Sequence, residues 1–105
     1  MKIAFYGSSI LSAYWNGAAT YYRGILRALA DRGHAITFYE PDAFDRQQHR
    51  DIEPPEWLRS VVYPATQAGL DSVLAEAGGA DIVVKANGVG VFDRELLEGV
   101  LRHAN

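Results

Sequence analysis

Apolar positions along this chain switch between the period of a strand and the period of a helix. A short apolar run, Lys2–Tyr6, leads into a glycine-containing loop, and apolar residues then recur every three or four positions from Ala18 to Arg32. A second apolar run follows at Ala35–Tyr39, directly after Gly33 and His34. Continuous short runs are typical of strands buried on both faces, and the longer spacing is typical of an amphipathic helix. The opening therefore predicts a parallel βαβ unit.

The same alternation continues to the end of the chain. Val61–Tyr63 is a short strand that Pro64 stops, and Thr66 is placed to cap a helix that ends at Gly78 and Gly79. A fourth strand is predicted at Asp81–Lys85. A last helix is predicted to start at Asp93 as its N-cap and to run nearly to Asn105. We therefore predict a Rossmann-like α/β fold of three layers, α/β/α, with a four-stranded parallel sheet in the order 3-2-1-4.

The connection from Pro41 to Ser60 has a different composition, rich in charge and proline. Connections of this length inside a compact domain are unusual unless they hold structure of their own, so one irregular turn is expected near Asp42–Gln48. The chain also closes on a helix with no strand after it, which would leave the fourth strand as an apolar edge. Residues 1–105 are therefore expected to be the N-terminal domain of a longer protein.

Composition excludes several classes of function. The 105 residues hold 10 basic and 13 acidic side chains, a net charge of −3, and the basic residues are scattered, so a nucleic-acid partner is not expected. There is no cysteine, which rules out disulfides, a thiolate nucleophile and cysteine-ligated zinc, and suits a cytoplasmic protein. No apolar run is long enough for a signal peptide or a membrane span.

A strand order of 3-2-1-4 predicts a crevice where the chain direction reverses, between the loops that follow strands one and four. Free backbone N–H groups at the start of the first helix favour an anionic or polyhydroxylated ligand there. The aromatic pair Tyr14 and Trp15 in the first loop is suited either to stacking on a sugar or base or to packing over the sheet edge. The candidate ligand-binding residues are Ser8, Ser9, Asn16, Gly17, Lys85, Asn87 and Gly88.

Each of these residues also has a purely structural interpretation. The glycines serve tight turns, Asn16 caps the helix, and the aliphatic part of Lys85 lies along the strand end. The loop after Tyr6 does not match G-x-G-x-x-G, and no G-K-S or G-K-T occurs. Glu40 nevertheless stands where a Rossmann domain places a ribose-binding carboxylate, so an NAD-type oxidoreductase or epimerase domain stays an alternative. His49 and its acidic neighbours have no metal-site spacing, and no metal is expected.

Several longer stretches resemble a known class of enzyme. Trp15–Thr20, Arg32–His34 and Ile36–Pro41 resemble the start of a GT-B glycosyltransferase, in which a glycine-containing loop leads into a long helix that ends in R-G-H before the second strand. Tyr39–Arg50 and Val84–Asp93 more narrowly resemble the CgeB-like family, known for a spore-maturation member. The resemblance extends over the whole chain.

The resemblance implies a function as well as a fold. GT-B enzymes have two Rossmann-like domains, of which the first mostly holds the acceptor and the second mostly holds the nucleotide-sugar donor, with no bound metal or cofactor required. This chain would supply the acceptor-side wall, and alone it is expected to be inactive. No residue matches a family catalytic base closely, and His49 and Asp42 are the only candidates. A non-enzymatic α/β interaction module remains a further alternative.

Overall fold

The computed structural model describes residues 1–13, 16–86, 89 and 91–103. Four strands alternate with three helices, and short 3-10 turns occupy the connections after the second strand and the second helix. The elements are β1 (Lys2–Tyr6), α1 (Ala18–Asp31), β2 (Ala35–Asp42), β3 (Leu58–Pro64), α2 (Gln67–Leu74), β4 (Ile82–Lys85) and α3 (Asp93–His103), with 3-10 turns at Arg46–Gln48 and Ala75–Gly79. None of the described helices has the length and apolar character needed to cross a membrane.

All four strands are parallel and lie in the order β3-β2-β1-β4. Tyr6 at the end of β1 is level with Tyr39 of β2 and with Lys85 of β4. The Rossmann-like α/β fold and the strand order predicted from the sequence are confirmed. The carboxyl ends of the strands therefore share one edge of the sheet, called here the carboxyl edge, and their first residues share the opposite, amino edge.

Alternate residues of the strands contribute side chains to two separate hydrophobic cores. Ile3, Ile36 and Phe38 point to the side on which α1 packs through Tyr22 and Leu26. On the other side, α2 and α3 cover the sheet, and the core there includes Ala4, Tyr6, Tyr39, Leu70, Val73, Leu74, Leu96 and Val100. Because both faces are covered, the strands consist of the continuous apolar runs seen in the sequence.

Most element ends lie where the sequence predicts them. Gly33 follows α1 with a φ of +92°, the left-handed conformation expected after a helix. Thr66 caps α2 by accepting a hydrogen bond from Gly69 N at 3.1 Å. The 3-10 turn at Arg46–Gln48 confirms the expected irregular turn. β3 starts earlier than predicted, at Leu58, because pairing of Leu58 with Ile36 of β2 extends the ladder beyond the locally apolar residues.

Candidate functional site

The loops that follow β1 and β4 meet at the carboxyl edge. Ala86 N donates a hydrogen bond to Tyr6 O at 2.9 Å, and Gly7 N donates one to Tyr39 O at 3.1 Å. The ends of β1 and β4 therefore lie side by side at this edge, while Asn87 and Gly88 of the predicted crevice lie outside the described residues. In a parallel sheet this edge is the usual place for ligands.

The loop after β1 is organised by its own buried polar groups. Ser8, Ser9 and Asn16 are each buried. Ser8 Oγ donates to Asn16 Oδ1 at 2.8 Å, and Asn16 Nδ2 donates to the backbone oxygens of Ser9 and Ser12 at 2.9 and 3.1 Å. The Asn16 side chain makes no capping bond to α1, whose cap position is Gly17. These three candidates therefore shape the loop, and their side-chain groups are already engaged within it.

Gly7 is a glycine for reasons of packing. A Cβ at this position would lie 2.6 Å from Cζ of Phe38 and 3.3 Å from Cε1 of Phe5. The two rings are stacked with centroids 5.3 Å apart, so they have little room to move. Gly7 lets the chain leave β1 directly over this stack.

Arg23 of α1 joins the β1 loop to the long connection after β2. Its Nε donates to Ile10 O at 2.7 Å, while Nη1 and Nη2 reach the two carboxylate oxygens of Asp51 at 3.0 and 2.6 Å. Asp51 N also donates to Leu11 O at 2.9 Å. The hydrogen bonds from Arg23 lower the pKa of the Asp51 carboxyl. One guanidinium therefore holds three segments of the carboxyl edge together, a role that its helical position alone does not reveal.

Glu40, near the end of β2, is fully enclosed, with 0% of its surface exposed. Its Oε2 accepts a hydrogen bond from Gln47 Nε2 at 3.3 Å, and its Oε1 has no hydrogen-bond partner among the residues that the structure describes. Burial raises the pKa of this carboxyl, although Ser9 and Gln47 act in the opposite direction. A carboxylate that binds a ribose must be open to its ligand, so this enclosed position gives no support to an NAD-type site.

The turn that follows β2 holds an unusual backbone. Phe44 and Asp45 have φ values of +56° and +58°, in the left-handed region that non-glycine residues rarely adopt. The guanidinium carbon of the buried Arg46 lies 4.9 Å from the centroid of the Phe44 ring. Burial lowers the pKa of Arg46, and the charge of Glu40 opposes this shift. Glu40 and Arg46 are thus buried ionisable residues on either side of the strained turn at Phe44 and Asp45.

The end of β4 carries a second polar group. Lys85 Nζ contacts Asp93 Oδ1 at 3.2 Å, and the same oxygen accepts a hydrogen bond from Val89 N at 2.9 Å. The Lys85 side chain is only 10% exposed. Tyr63, also enclosed, has a hydroxyl with no partner among the described residues, and burial together with the charge of Asp93 raises its pKa. Lys85 at the end of β4 is therefore ion-paired with Asp93 at the start of α3.

The remaining predicted residues are less tightly held or lie outside the described residues. Asp42 is exposed at the end of β2, and His49 is exposed after the 3-10 turn, where its backbone oxygen accepts a hydrogen bond from Ser12 Oγ at 2.8 Å. Gly17 is exposed with open space beside it. The described residues contain no group of three or more side chains suited to a metal ion. Outside the described residues are Tyr14, Trp15, Asn87 and Gly88.

A groove of about 720 Å³ lies at the amino edge, on the opposite end of the sheet from the predicted site. Three of its polar side chains pair with one another: Glu76 Oε1 lies 2.9 Å from Arg59 Nη1 and accepts a hydrogen bond from Tyr39 OH at 3.0 Å. Sequence reasoning gave no sign of this groove. The main lining residues are Lys2, Ala4, Thr37, Tyr39, Trp57, Arg59, Glu76 and Ala80.

Comparison with known proteins gives a partial match. Over 81 residues, this chain is 36% identical to a cobyrinate a,c-diamide synthase from Streptococcus sanguinis (strain SK36). The match covers 73% of this chain and 18% of that protein, so this chain spans less than a fifth of the relative's length. No family profile matches the chain, and no solved structure matches it.

Proposed function

We propose that this chain is the acceptor-side N-terminal domain of a GT-B-type glycosyltransferase that transfers a sugar from a nucleotide-sugar donor. The observation that carries the proposal is that the ends of β1 and β4 lie side by side at the carboxyl edge, where parallel α/β sheets hold ligands; in a GT-B enzyme this edge would face the partner domain. The described parts of the CgeB-like stretches Tyr39–Arg50 and Val84–Asp93 border this same edge. Fold alone does not fix activity, so the proposal depends on both features.

In this proposal the work is divided between two domains. The described domain holds the acceptor and a group that takes the proton from its attacking hydroxyl, for which exposed Asp42 and His49 are candidates. A second domain beyond this chain would bind the nucleoside diphosphate and stabilise its departing charge. The 105-residue chain alone is therefore expected to have no transferase activity.

Calorimetry with nucleoside diphosphates tests the proposal. The protein encoded by the whole reading frame should bind UDP, GDP or dTDP and should release that diphosphate from the matching nucleotide-sugar. The 105-residue chain, measured beside it, should bind none of the three. Absence of nucleoside diphosphate binding in the folded protein from the whole reading frame would refute the assignment.

The partial match favours a second candidate, a domain of a synthase that makes cobyrinate a,c-diamide. This candidate depends on 36% identity over 81 residues. Titration of the chain with cobyrinate, followed by the visible absorption of the corrin ring, tests it directly. Saturable spectral change would favour the synthase, and an unchanged spectrum would remove it. A parallel titration with NAD and NADP tests the dinucleotide alternative, for which enclosed Glu40 predicts no binding.

A further inference from the structure

The two edge strands of the sheet differ in how they are protected from pairing with a further strand. β3 contains the exposed Arg59 and ends at Pro64, and a charged side chain and a proline are common devices that keep an edge strand unpaired. In β4, at the other edge, residues 82–84 are apolar, and the one charged residue, Lys85, is only 10% exposed and is held by Asp93. β4 therefore presents unpaired backbone groups without these protective features.

Helix α3 continues this uncovered apolar surface. Gly99 of α3 faces α2, because a Cβ there would collide with Leu74, and Val100 faces the core. Since a helix turns by about 100° per residue, Leu97 and Leu101 lie on the flank of α3 that is turned away from α2. These two leucines are 50% and 73% exposed. The free edge of β4 and this flank of α3, carrying Leu97 and Leu101, are called here the outer surface.

The end of α3 lies where a strand parallel to β4 has to begin. His103 O is 3.5 Å from the position that a Cβ on Gly78 would occupy, and Gly78 lies in the 3-10 turn that leads into β4. Helix α3 therefore brings the chain back from the carboxyl edge to the amino edge.

The direction of the next connection follows from the hand of the previous one. Helix α2 connects β3 to β4 across one face of the sheet, and α3 packs on that same face. Connections between parallel strands are right-handed in almost all proteins, and two connections of one hand on one face move across the sheet in the same direction. A connection through α3 therefore leads beyond β4, to the side that Leu97 and Leu101 overhang.

We propose that the outer surface holds a fifth strand, parallel to β4 and covered by Leu97 and Leu101, which is formed by the segment that follows Asn105 in the longer protein. The inference rests on the proposed function in one respect, that the chain continues into a second domain. A parallel strand that starts at the amino edge ends at the carboxyl edge. The loop after it therefore arrives beside Lys85 and Asp93 and extends the candidate site.

The test compares hydrogen exchange in the 105-residue chain and in the protein encoded by the whole reading frame. The amides of β4 that face away from β1 should exchange at least about tenfold more slowly in the longer protein, because the fifth strand accepts their hydrogen bonds. Amides in the segment that follows Asn105 should be protected with them. The outward amides of β3 are the internal control, and they should exchange equally in both proteins.

Substitutions on α3 test whether the leucines cover the added strand. Leu97→Gln together with Leu101→Gln should reduce the protection of β4 in the longer protein at least about fivefold, because the apolar contacts to the fifth strand are lost. In the 105-residue chain, where both leucines are exposed, the midpoint of thermal unfolding should stay within about 3 °C of wild type. The matched control is Tyr21→Gln together with Ile25→Gln, two exposed residues with the same spacing on α1, and it should leave the protection of β4 unchanged.

The outcomes separate this inference from the proposed function. Equal exchange of β4 in the two proteins, no effect of the paired leucine substitutions, or a reading frame that stops at Asn105 would each overturn the fifth strand. Protection of β4 that appears in the 105-residue chain as light scattering detects a dimer would also overturn it, because a second copy then occupies the surface. If β4 is protected as expected but the longer protein binds no nucleoside diphosphate, the fifth strand stands and the glycosyltransferase assignment falls. Nucleoside diphosphate binding with an unprotected β4 gives the reverse result.

Discussion

The two edges of this sheet differ in how they use backbone strain and buried polarity. At the carboxyl edge, Phe44, Asp45 and Phe92 are the described non-glycine residues with positive φ, and Glu40 carries a buried oxygen without a described partner. At the amino edge, the left-handed position after α1 is a glycine, and Arg59, Glu76 and Tyr39 of the groove are paired with one another. The groove of about 720 Å³ thus lies at the relaxed edge. The presence of a groove is a poorer guide to chemistry here than strain and unsatisfied polar groups.

The largest predicted effect on stability comes from Gly7, where the chain leaves β1 in close contact with two aromatic rings. Gly7→Ala places a Cβ against the Phe5–Phe38 stack and should lower the free energy of unfolding by about 2–3 kcal/mol through overpacking. Urea denaturation measures this change. Gly24→Ala is the matched control, since a Cβ there meets open space within α1, and it should raise stability by about 0.5–1 kcal/mol. Equal tolerance at both positions would show that the carboxyl edge is not closely packed.

Loss of the Arg23 bridge should have the next largest effect. Arg23→Ala removes the hydrogen bonds to Ile10 O and to both oxygens of Asp51, and it should cost about 1.5 kcal/mol of unfolding free energy. Hydrogen exchange should also become faster at Leu11 and Asp51. Arg94→Ala, which breaks the exposed pair with Glu98 on α3, should leave stability unchanged. Identical behaviour of the two variants would contradict a scaffolding role for Arg23.

The buried Glu40 carboxyl should make stability depend on pH. Its pKa is raised in the folded chain above the ordinary value of 4.5, so the folded state retains the proton to higher pH than the unfolded state does. The Glu40 contribution to stability is therefore fully present below the unfolded pKa and is lost as pH rises through the folded pKa. Urea denaturation of wild type and Glu40→Gln from about pH 4 to about pH 8 should show wild type losing stability relative to the variant.

Asp51 has a lowered pKa and therefore affects stability in the opposite direction. Its contribution to the free energy of unfolding is lost as pH falls through the folded pKa. Both proteins contain Asp51, so the difference between them isolates Glu40. A constant difference across the range would contradict the raised pKa.

The smallest predicted effect is a gain in stability at the strained turn. Asp45→Gly relieves a left-handed residue at an exposed position and should raise the free energy of unfolding by about 0.5 kcal/mol after the greater entropy of the unfolded glycine is included. The matched amino-edge change, Gly33→Ala, introduces the same strain and should lower it by about 1 kcal/mol. Thermal unfolding compares them. Changes in stability of opposite sign would support the difference in backbone strain between the two edges. A loss of stability in both variants would contradict it.

The fold could be predicted from the sequence because apolar residues repeat with a different spacing in the strands and in the helices. Runs such as Ile82–Lys85 and the helical spacing of α1 are local signals, and the strand order follows from the chirality of crossovers. Pairs between distant residues were not accessible. Nothing local links Arg23 to Asp51, which is 28 positions away.

The candidate site was predicted less well than the fold. Polar loop residues such as Ser8 and Asn16 suggested a ligand, but their mutual hydrogen bonds show that the loop already uses them. The left-handed conformation at Phe44 could not be predicted from the sequence either, because glycine and asparagine, not phenylalanine, are the residues that indicate a positive φ. The carboxyl edge as a location was predictable from topology, whereas the side chains that remain available there depend on packing.

The most direct test of the central claim compares substitutions at the two edges in the protein encoded by the whole reading frame. Asp42→Asn together with His49→Ala at the carboxyl edge should lower the release of nucleoside diphosphate from the nucleotide-sugar, whereas Arg59→Gln in the groove should leave it unchanged. Loss of release in the Arg59 variant, with full release in the carboxyl-edge variant, would contradict the assignment of the site to the carboxyl edge.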